Sequence, residues 1–443
     1  MSMPDRLVRL VPVLSLLSLG ACAGPDSTDG KPSTDGNNGD DTAPTTTTSP
    51  CADGTWGPLD DPALAIHVRT DGDDANLGGG NDPVASIAAA MTLMRLDVDI
   101  QQIFMGPGTF AGVGPGEGVT SVSFESDDGG GNNDDGAAFL GCSVDETTVE
   151  SAASGEPVLK VSGTQNLVLS DFGVSGGRRA IWIWQGAGVE LNNIRVSESR
   201  RVGIVVDGNA SIVTANNVEV REVVAERTSG SVLMGYGISV QQGTFNMNGG
   251  GIYDATRAGL LADFAHIDLQ GITVQDTQSA DDVLGRGVQF QELSVGNIDG
   301  ANITGNHDAG VFALRAVTAN ITNVTVDGTL ASEVPETQET TGDGIVVTRG
   351  DSDVGVENFQ ATVTGNRVSG SERAGILLAG VTVLDLSSNT LTDNGYAPSE
   401  ESSVAQDGAD ITGGSDDFYD VDAAGVAPLS LNDELVDTDD LQE

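Results

Sequence analysis

The sequence predicts an all-β chain whose successive coils stack into a parallel β-helix, or β-solenoid. Three observations carry this prediction. Glycine supplies 60 of the 443 residues and aromatic residues only 4%. A small residue followed by an aliphatic stretch recurs along the body, and alternating aliphatic segments lie between these recurrences. A fold that turns often and fills its interior with small aliphatic side chains accounts for all three.

Residues 1–22 are predicted to be a targeting segment outside the fold. Arg6 and Arg9 precede an apolar run from Leu10 to Leu19 that is too short to span a bilayer. The run ends in Leu-Gly-Ala-Cys at Cys22, which resembles the lipobox of bacterial lipoproteins. The resemblance implies a lipidated Cys22 and a membrane anchor. Since the following residue, Ala23, is not acidic, it also implies the outer membrane where the cell has one.

Residues 23–50 consist almost entirely of Ser, Thr, Asp, Gly and Pro. Such a segment cannot bury enough apolar surface to offset the entropy of ordering, so a flexible linker is expected. If Cys22 is lipidated, Cys51 and Cys142 remain. An exported protein with an even remainder of cysteines permits one disulfide between them.

The segment from Ile66 predicts a strand, an acidic turn and a helix that caps the open end of the first coil. Asp82 is the expected N-cap and Pro83 the first helical residue. The acidic loop is a candidate Ca²⁺ site, although its carboxylates lack the ordered alternation of an EF-hand. Its candidate ligands are Asp71, Asp73, Asp74 and Asp82.

The body, residues 158–396, repeats a small residue followed by an aliphatic one, at spacings of 22 to 34 residues. The instances begin at Ala180, Gly203, Gly237, Gly259, Gly287, Gly310, Gly344 and Gly375. The short spacings match one solenoid coil, and the long ones match a coil with an inserted loop. Between them, aliphatic pairs flank an Asn, as at Asn192-Asn193 and Asn216-Asn217. Asn tolerates a left-handed corner and can hydrogen-bond to its copy in the next coil.

These repeats, together with the strand, acidic turn, helix and Pro-Gly-Thr-aromatic turn of residues 51–157, resemble the right-handed parallel β-helix of the pectin-lyase-like superfamily. The resemblance covers more than half of the chain. It implies the fold but no particular activity, because many chemistries share this scaffold. Residues 397–443 form an acidic tail, with no Lys or Arg from Glu400 onward. Part of this tail is expected to cover the last coil.

The inserted loops all fall just before a small-aliphatic strand, so they project from one side of the solenoid. Superfamily lyases use a Ca²⁺-binding carboxylate cluster with a basic residue, and its glycosidases use aspartates with a Gly-His-Gly segment. Asp281, Asp282 and Arg286 are therefore the candidate catalytic residues. The Gly-His-Gly segment is absent from this sequence, and the three histidines are isolated.

A second column stands directly before the small-aliphatic strands, and stacking in register would align it along one ridge. Guanidinium groups suit carboxylates, so a uronic acid polymer is a conceivable ligand. The alternative is that these are solvated corners with arginine offsetting the acidic excess. We call Arg178, Arg201, Arg257, Asp308 and Arg373 the arginine column.

The net charge of −47 makes nucleic-acid binding unlikely. Three functions remain. The first is a surface-anchored, non-catalytic β-helix lipoprotein with a binding, adhesion or structural role at the cell envelope. The second is a Ca²⁺-dependent polysaccharide lyase or a glycosidase acting on acidic polysaccharide. The third is an acidic module that docks a basic envelope protein. The lack of a convincing catalytic group favours the first.

Overall fold

The structure is a computed structural model that describes residues 51, 64–97, 99–111, 121–126, 134–151, 157–227, 233–280, 284–334, 339–350, 359–395, 404–407, 409–412 and 419–420. These residues belong to one compact unit, 48–443. The predictions for residues 1–22, Cys22 and residues 23–50 lie outside them.

The described residues fold as a right-handed parallel β-helix with a single α-helix near its start, as the sequence predicts. Helix α1 (Ile87–Leu96) lies between the first two strands. In chain order the strands are β1 (Ala65–Val68), β2 (Gln102–Met105), β3 (Gly108–Ala111), β4 (Val122–Glu125), β5 (Ala138–Leu140), β6 (Thr147–Ser151), β7 (Leu159–Ser162), β8 (Leu167–Gly176), β9 (Arg179–Trp184), β10 (Gly188–Ser197), β11 (Val202–Asp207), β12 (Ile212–Val223), β13 (Glu226–Arg227), β14 (Leu233–Met234), β15 (Tyr236–Gln241), β16 (Thr244–Ala255), β17 (Ala258–Asp263), β18 (His266–Gln270), β19 (Thr273–Gln275), β20 (Arg286–Gln291), β21 (Val295–Asp299), β22 (Asn302–Thr304), β23 (Ala309–Leu314), β24 (Thr318–Thr322), β25 (Thr325–Asp327), β26 (Glu333–Val334), β27 (Glu339–Thr340), β28 (Asp343–Thr348), β29 (Gln360–Thr364), β30 (Arg367–Ser369), β31 (Ile376–Ala379), β32 (Thr382–Asp385), β33 (Thr390–Thr392), β34 (Val404–Asp407), β35 (Asp410–Ile411) and β36 (Tyr419–Asp420).

Two parallel sheets form the walls of the solenoid. One of them, which we call the second sheet, takes one strand from each coil in chain order. Its strands are β4, β7, β9, β11, β15, β17, β20, β23, β28, β31, β34 and β36. The other described solenoid strands form the long sheet, which bends at a corner within each coil. Strands β34 to β36 fall in the segment whose composition predicts an acidic tail, so coil stacking continues at least to Asp420.

The small residue of each repeat is explained by close contact between coils in the second sheet. A Cβ added to Gly259 would lie 2.5 Å from the carbonyl oxygen of Gly287 and 2.6 Å from Val274 Cγ1. These separations leave no room for a side chain, so the backbones approach closely only because glycine stands there. The same relation to the next coil holds at Gly203, Gly237, Gly287, Gly310 and Gly344.

Asparagine forms the corner of the long sheet, as predicted. Asn193 and Asn217 have φ values of 49° and 52°, in the left-handed region that Asn tolerates. Asn217 Nδ2 donates to Asn193 Oδ1 at 2.9 Å, and Asn216 Nδ2 donates to Asn192 Oδ1 at the same distance. Stacked amides therefore connect successive coils at this corner.

The capping helix begins later than the sequence predicts. Ser86, not Asp82, is the N-cap, and its Oγ accepts a hydrogen bond from Ala89 N at 3.1 Å. The segment before it bridges in parallel to β1 at Val68 and Val84, which keeps Pro83 outside the helix. Asp74 fixes this start, since its carboxylate accepts the Ser86 backbone N–H at 2.8 Å.

The cysteine count permitted a disulfide, and the structure joins Cys51 to Cys142. Cys142 is buried, and its backbone N–H donates to Thr147 Oγ1 at 3.0 Å. The bridge spans 91 residues and ties the start of the folded body to the turn after β5.

Candidate functional site

The inserted loops share one corner of the solenoid, as predicted, between the long sheet and the second sheet. Strands β13 and β14 form an antiparallel hairpin in the first loop, and β26 and β27 form another in the third. The loops continue the stacking, because Gln278 N donates to Ala255 O at 2.8 Å and Leu330 N donates to Asn306 O at the same distance.

The arginine column is formed beside these loops, but its charges are engaged within the protein. Arg178 Nε lies 3.0 Å from Glu226 Oε1, and Arg201 Nη2 lies 3.5 Å from the same oxygen. Only 4% of the Arg201 side chain is exposed. Glu226, on hairpin β13–β14, thus neutralises arginines from two coils.

The remaining arginines of the column are also occupied. Arg257 Nη1 donates to Leu233 O at 2.6 Å. Arg373 forms a bidentate pair with Asp343, in which Nε lies 2.8 Å from Oδ1. A bidentate carboxylate contact is the geometry that a uronate would need. A uronate polymer would therefore have to displace the protein's own acceptors before it could bind this column.

Arg286 is placed in the interior, where it cannot contact a polymer. It is 0% exposed, its Nε lies 2.5 Å from Asp308 Oδ2, and its Cζ lies 3.6 Å from the centre of the Phe312 ring. A base that acts on a polysaccharide must reach the substrate, so this position gives Arg286 and Asp308 a packing role instead. The other catalytic candidates, Asp281 and Asp282, lie outside the described residues.

The acidic loop does not gather its carboxylates around a common point. Asp74 accepts the backbone N–H groups of Ala85 and of the N-cap Ser86, Asp71 pairs with Arg69 at 2.8 Å, and Asp73 Oδ1 accepts Ala75 N at 3.0 Å. Asp82 closes a short bridge with Gly79. Throughout the part of the chain that the structure describes, no three His, Cys, Asp or Glu side chains come together as a metal site.

The sequence reasoning missed an aromatic surface on the outer face of the second sheet. Trp182 and Trp184 alternate along β9 with the buried Ile181 and Ile183, so both indoles face outward. Their ring centres lie 4.8 Å apart, with an angle of 30° between the planes. The signal was available, because alternate residues of one strand share a face.

Two cations flank these indoles. Lys160, on the neighbouring strand β7, places Nζ 4.9 Å from the Trp184 ring centre and 5.5 Å from that of Trp182. Arg179 Cζ lies 4.7 Å from the Trp182 centre. All three distances between a cation and a ring centre are within cation–π range. We call Lys160, Arg179, Trp182 and Trp184 the tryptophan platform.

A row of polar residues continues the platform across the same face. Asp207 stands beside Trp184, and the strand register continues the row through Gln241, Asp263 and Gln291. Gln291 Nε2 donates to Asp263 Oδ1 at 3.3 Å. Burial raises the pKa of Asp207 above its ordinary value, and the nearby positive charge of Arg179 opposes this.

Several polar atoms on this face are buried without a hydrogen-bond partner in the described structure. They are Trp182 Nε1, Trp184 Nε1, Ser239 Oγ and Gln289 Oε1. Nearly all buried polar groups in folded proteins have partners, so these atoms are exceptions among the described residues. They lie too deep to reach a ligand, so the outer face of the second sheet offers an aromatic surface flanked by Lys160.

Comparison with known proteins finds no matching family model and no curated relative. Solved structures with a similar course include pectate lyase Pel9A, at 13% identity and a TM-score of 0.46, covering 83% of this chain and 86% of that one. The A-module of Azotobacter vinelandii mannuronan C-5 epimerase AlgE4 has 14% identity and a TM-score of 0.40, covering 78% and 95%.

The catalytic domain of a GH87 α-1,3-glucanase, solved in complex with nigerose, has 13% identity and a TM-score of 0.36, covering 80% of this chain and 70% of that one. At these identities and scores the likeness carries no argument about function. No described helix is both long enough and apolar enough to cross a membrane.

Proposed function

We propose that this chain is a lipid-anchored envelope protein that binds an acidic polysaccharide on the outer face of its second sheet. The tryptophan platform is the observation that carries the proposal. Indoles stack on the apolar faces of sugar rings, and the rings of Trp182 and Trp184 pack together on one strand, with centres 4.8 Å apart and planes tilted by 30°. Lys160 stands where a sugar carboxylate on those rings would meet positive charge.

The net charge of −47 does not prevent this binding. At physiological ionic strength the screening length is about 8 Å, so distant acidic residues contribute little at the platform. Lys160 Nζ lies within 5.5 Å of both indole centres, so its charge acts at short range on a ligand at the platform.

The platform is tested by calorimetric titration of the full chain with polygalacturonate and with a neutral β-glucan. We expect Trp182→Ala to weaken polygalacturonate binding about tenfold or more, because it removes one stacking surface. Lys160→Gln should weaken polygalacturonate binding and leave neutral glucan binding unchanged. Phe264→Ala is the matched control, since it removes an aromatic ring that is 47% exposed outside the platform. Equal binding by all three variants would contradict the proposal.

Anchoring is part of the same proposal and rests on the lipobox-like segment that ends at Cys22. Cys22→Ser should move the protein from the membrane fraction to the soluble fraction and abolish incorporation of labelled palmitate. Unchanged fractionation would show that the chain is held at the envelope in some other way.

A second candidate function is cleavage of the bound polymer, and Asp207 favours it. A carboxyl with a raised pKa beside a sugar-binding surface suits a proton donor. Asp263 lies two strands further along the same row, roughly 9.6 Å away at the usual strand spacing, which is close to the carboxyl separation of inverting glycosidases. The assay measures release of reducing ends or of ultraviolet-absorbing products from the polymer, with and without Ca²⁺. Product release by the unchanged protein that is lost in Asp207→Asn would establish this function.

A further inference from the structure

A concave site lies at the asparagine corner of the long sheet, apart from the residues of the tryptophan platform. It is a pocket of about 250 Å³. Its lining includes Asp171, Asn193 and Asn217 from three successive coils and Val144 from the turn after β5. This volume is slightly below the roughly 300–1,000 Å³ of pockets for drug-sized ligands. It suits one sugar ring and is too small for an oligosaccharide.

The walls of the pocket are fixed in place. Arg195 connects them, because its Nη1 lies 2.5 Å from Asp145 Oδ1 in the turn after β5 and its Nε lies 3.0 Å from Glu219 Oε2. The same turn follows Cys142, which the disulfide holds to Cys51. A rigid pocket loses little entropy when a ligand enters, so even a small ligand can bind measurably.

The hydrogen-bonding groups of the pocket leave defined positions open. Asn217 donates Nδ2 to Asn193 Oδ1, and Asn193 donates Nδ2 to Asp171 Oδ1 at 2.9 Å in each case. Because these hydrogen bonds run from Asn217 to Asn193 and from Asn193 to Asp171, Asn217 Oδ1 is an acceptor with no partner among the described residues. Arg195 Nη2 is likewise an available donor, and Glu219 Oε1 an available acceptor. A vicinal diol, which both donates and accepts, matches this set.

The charge of the lining selects between sugar classes. Asp171 and Glu219 in the lining and Asp145 beside it face two arginines, Arg195 and Arg221, which leaves one net negative charge, so a uronate carboxylate would meet net repulsion. These carboxylates do not form a metal site, as no described group of three does. We propose that this corner pocket binds a single neutral sugar unit, in contrast to the acidic polymer proposed for the tryptophan platform.

The test is saturation-transfer NMR and calorimetry on the full chain with methyl glycosides of glucose, galactose, mannose and N-acetylglucosamine, and with galacturonate. At least one neutral glycoside should bind with Kd in the millimolar range, and galacturonate at least about tenfold more weakly. Absence of neutral-sugar binding up to roughly 50 mM would overturn the proposal.

Variants locate the site. Val144→Phe fills the pocket from its exposed rim and should abolish neutral-sugar binding. Asn217→Ser should weaken it at least about tenfold. Asn323→Ser is the matched control, because Asn323 has a φ of 54° and donates to Asp299 Oδ1 at 2.8 Å in a corner outside the pocket. Binding that survives Val144→Phe, or that is lost in Trp182→Ala, would place the sugar elsewhere and refute the inference.

Discussion

Replacing Arg286 with methionine should destabilise the middle of the solenoid strongly and leave glycan binding intact. The side chain is fully buried between β20 and β23, and Asp308, its partner at 2.5 Å, is only 2% exposed. Methionine fills a similar volume against Phe312, so little packing is lost. The variant instead leaves a buried carboxylate without its counter-ion.

Removal of one partner from a buried ion pair costs roughly 3–5 kcal/mol, whereas replacement of both partners is often nearly neutral. The double variant Arg286→Met/Asp308→Asn should therefore recover most of the loss. Asn is chosen because residue 308 has a φ of 61°, which Asn tolerates. The pair lies far from the platform along the solenoid, so polygalacturonate binding by folded Arg286→Met should be unchanged.

Native-state amide hydrogen exchange measures this locally, since solenoid coils need not unfold together. The opening free energy of amides in β20 and β23 should fall by about 3–5 kcal/mol in the single variant, with β9 amides as the internal reference. A loss below about 1 kcal/mol, or no recovery in the double variant, would refute the argument that the pair is desolvated.

Three further outcomes follow from the structure. Burial raises the pKa of Asp207 in the folded protein above the ordinary aspartate value of 3.8. Between these two pKa values the folded protein binds more protons than the unfolded chain, so stability falls as pH rises from the ordinary pKa through the folded-state pKa. Asp207→Asn should flatten the dependence of the urea midpoint on pH between about pH 4 and pH 7, and an unchanged dependence would assign it to other groups. Cys51→Ser should lower the free energy of unfolding by about 4–5 kcal/mol in the chain-entropy model, because the bridge closes a 91-residue loop. An equal urea midpoint for the unchanged protein under oxidising and reducing conditions would contradict this. Gly259→Ala should prevent correct stacking, because its Cβ would lie 2.5 Å from a backbone oxygen. The control Gly271→Ala has nothing within 4 Å of its Cβ and should cost only the strain of its φ of 58°. Similar thermal midpoints for the two variants would disprove the close-contact explanation.

The sequence predicted the coil repeat because its determinants are local. Glycine stands at six of the repeat positions where the next coil's carbonyl approaches, and an asparagine suits left-handed corners, so both recur at the coil spacing. The cysteine count permitted a disulfide between Cys51 and Cys142, and only the fold shows that the two meet. The corner that carries the inserted loops followed from the position of the extra residues within each coil.

The beginning of the capping helix was not predictable in the same way. Pro83 after Asp82 is a strong local signal, but Asp74 and Ser86 together define a later start. Asp74 lies 12 residues away from the serine it binds. Only the folded loop brings that carboxylate to the helix terminus.

Register determined which arginines share a column, whereas the tertiary structure determined what they contact. Glu226 reaches Arg178 across 48 residues, and Asp308 reaches Arg286 across 22. The tryptophan platform likewise depends on Lys160 stacking beside Trp182 one coil later. Backbone periodicity is written in local sequence, but the partner of a buried charge or an outward-facing ring depends on which loops and coils fold against it, and that is a long-range property.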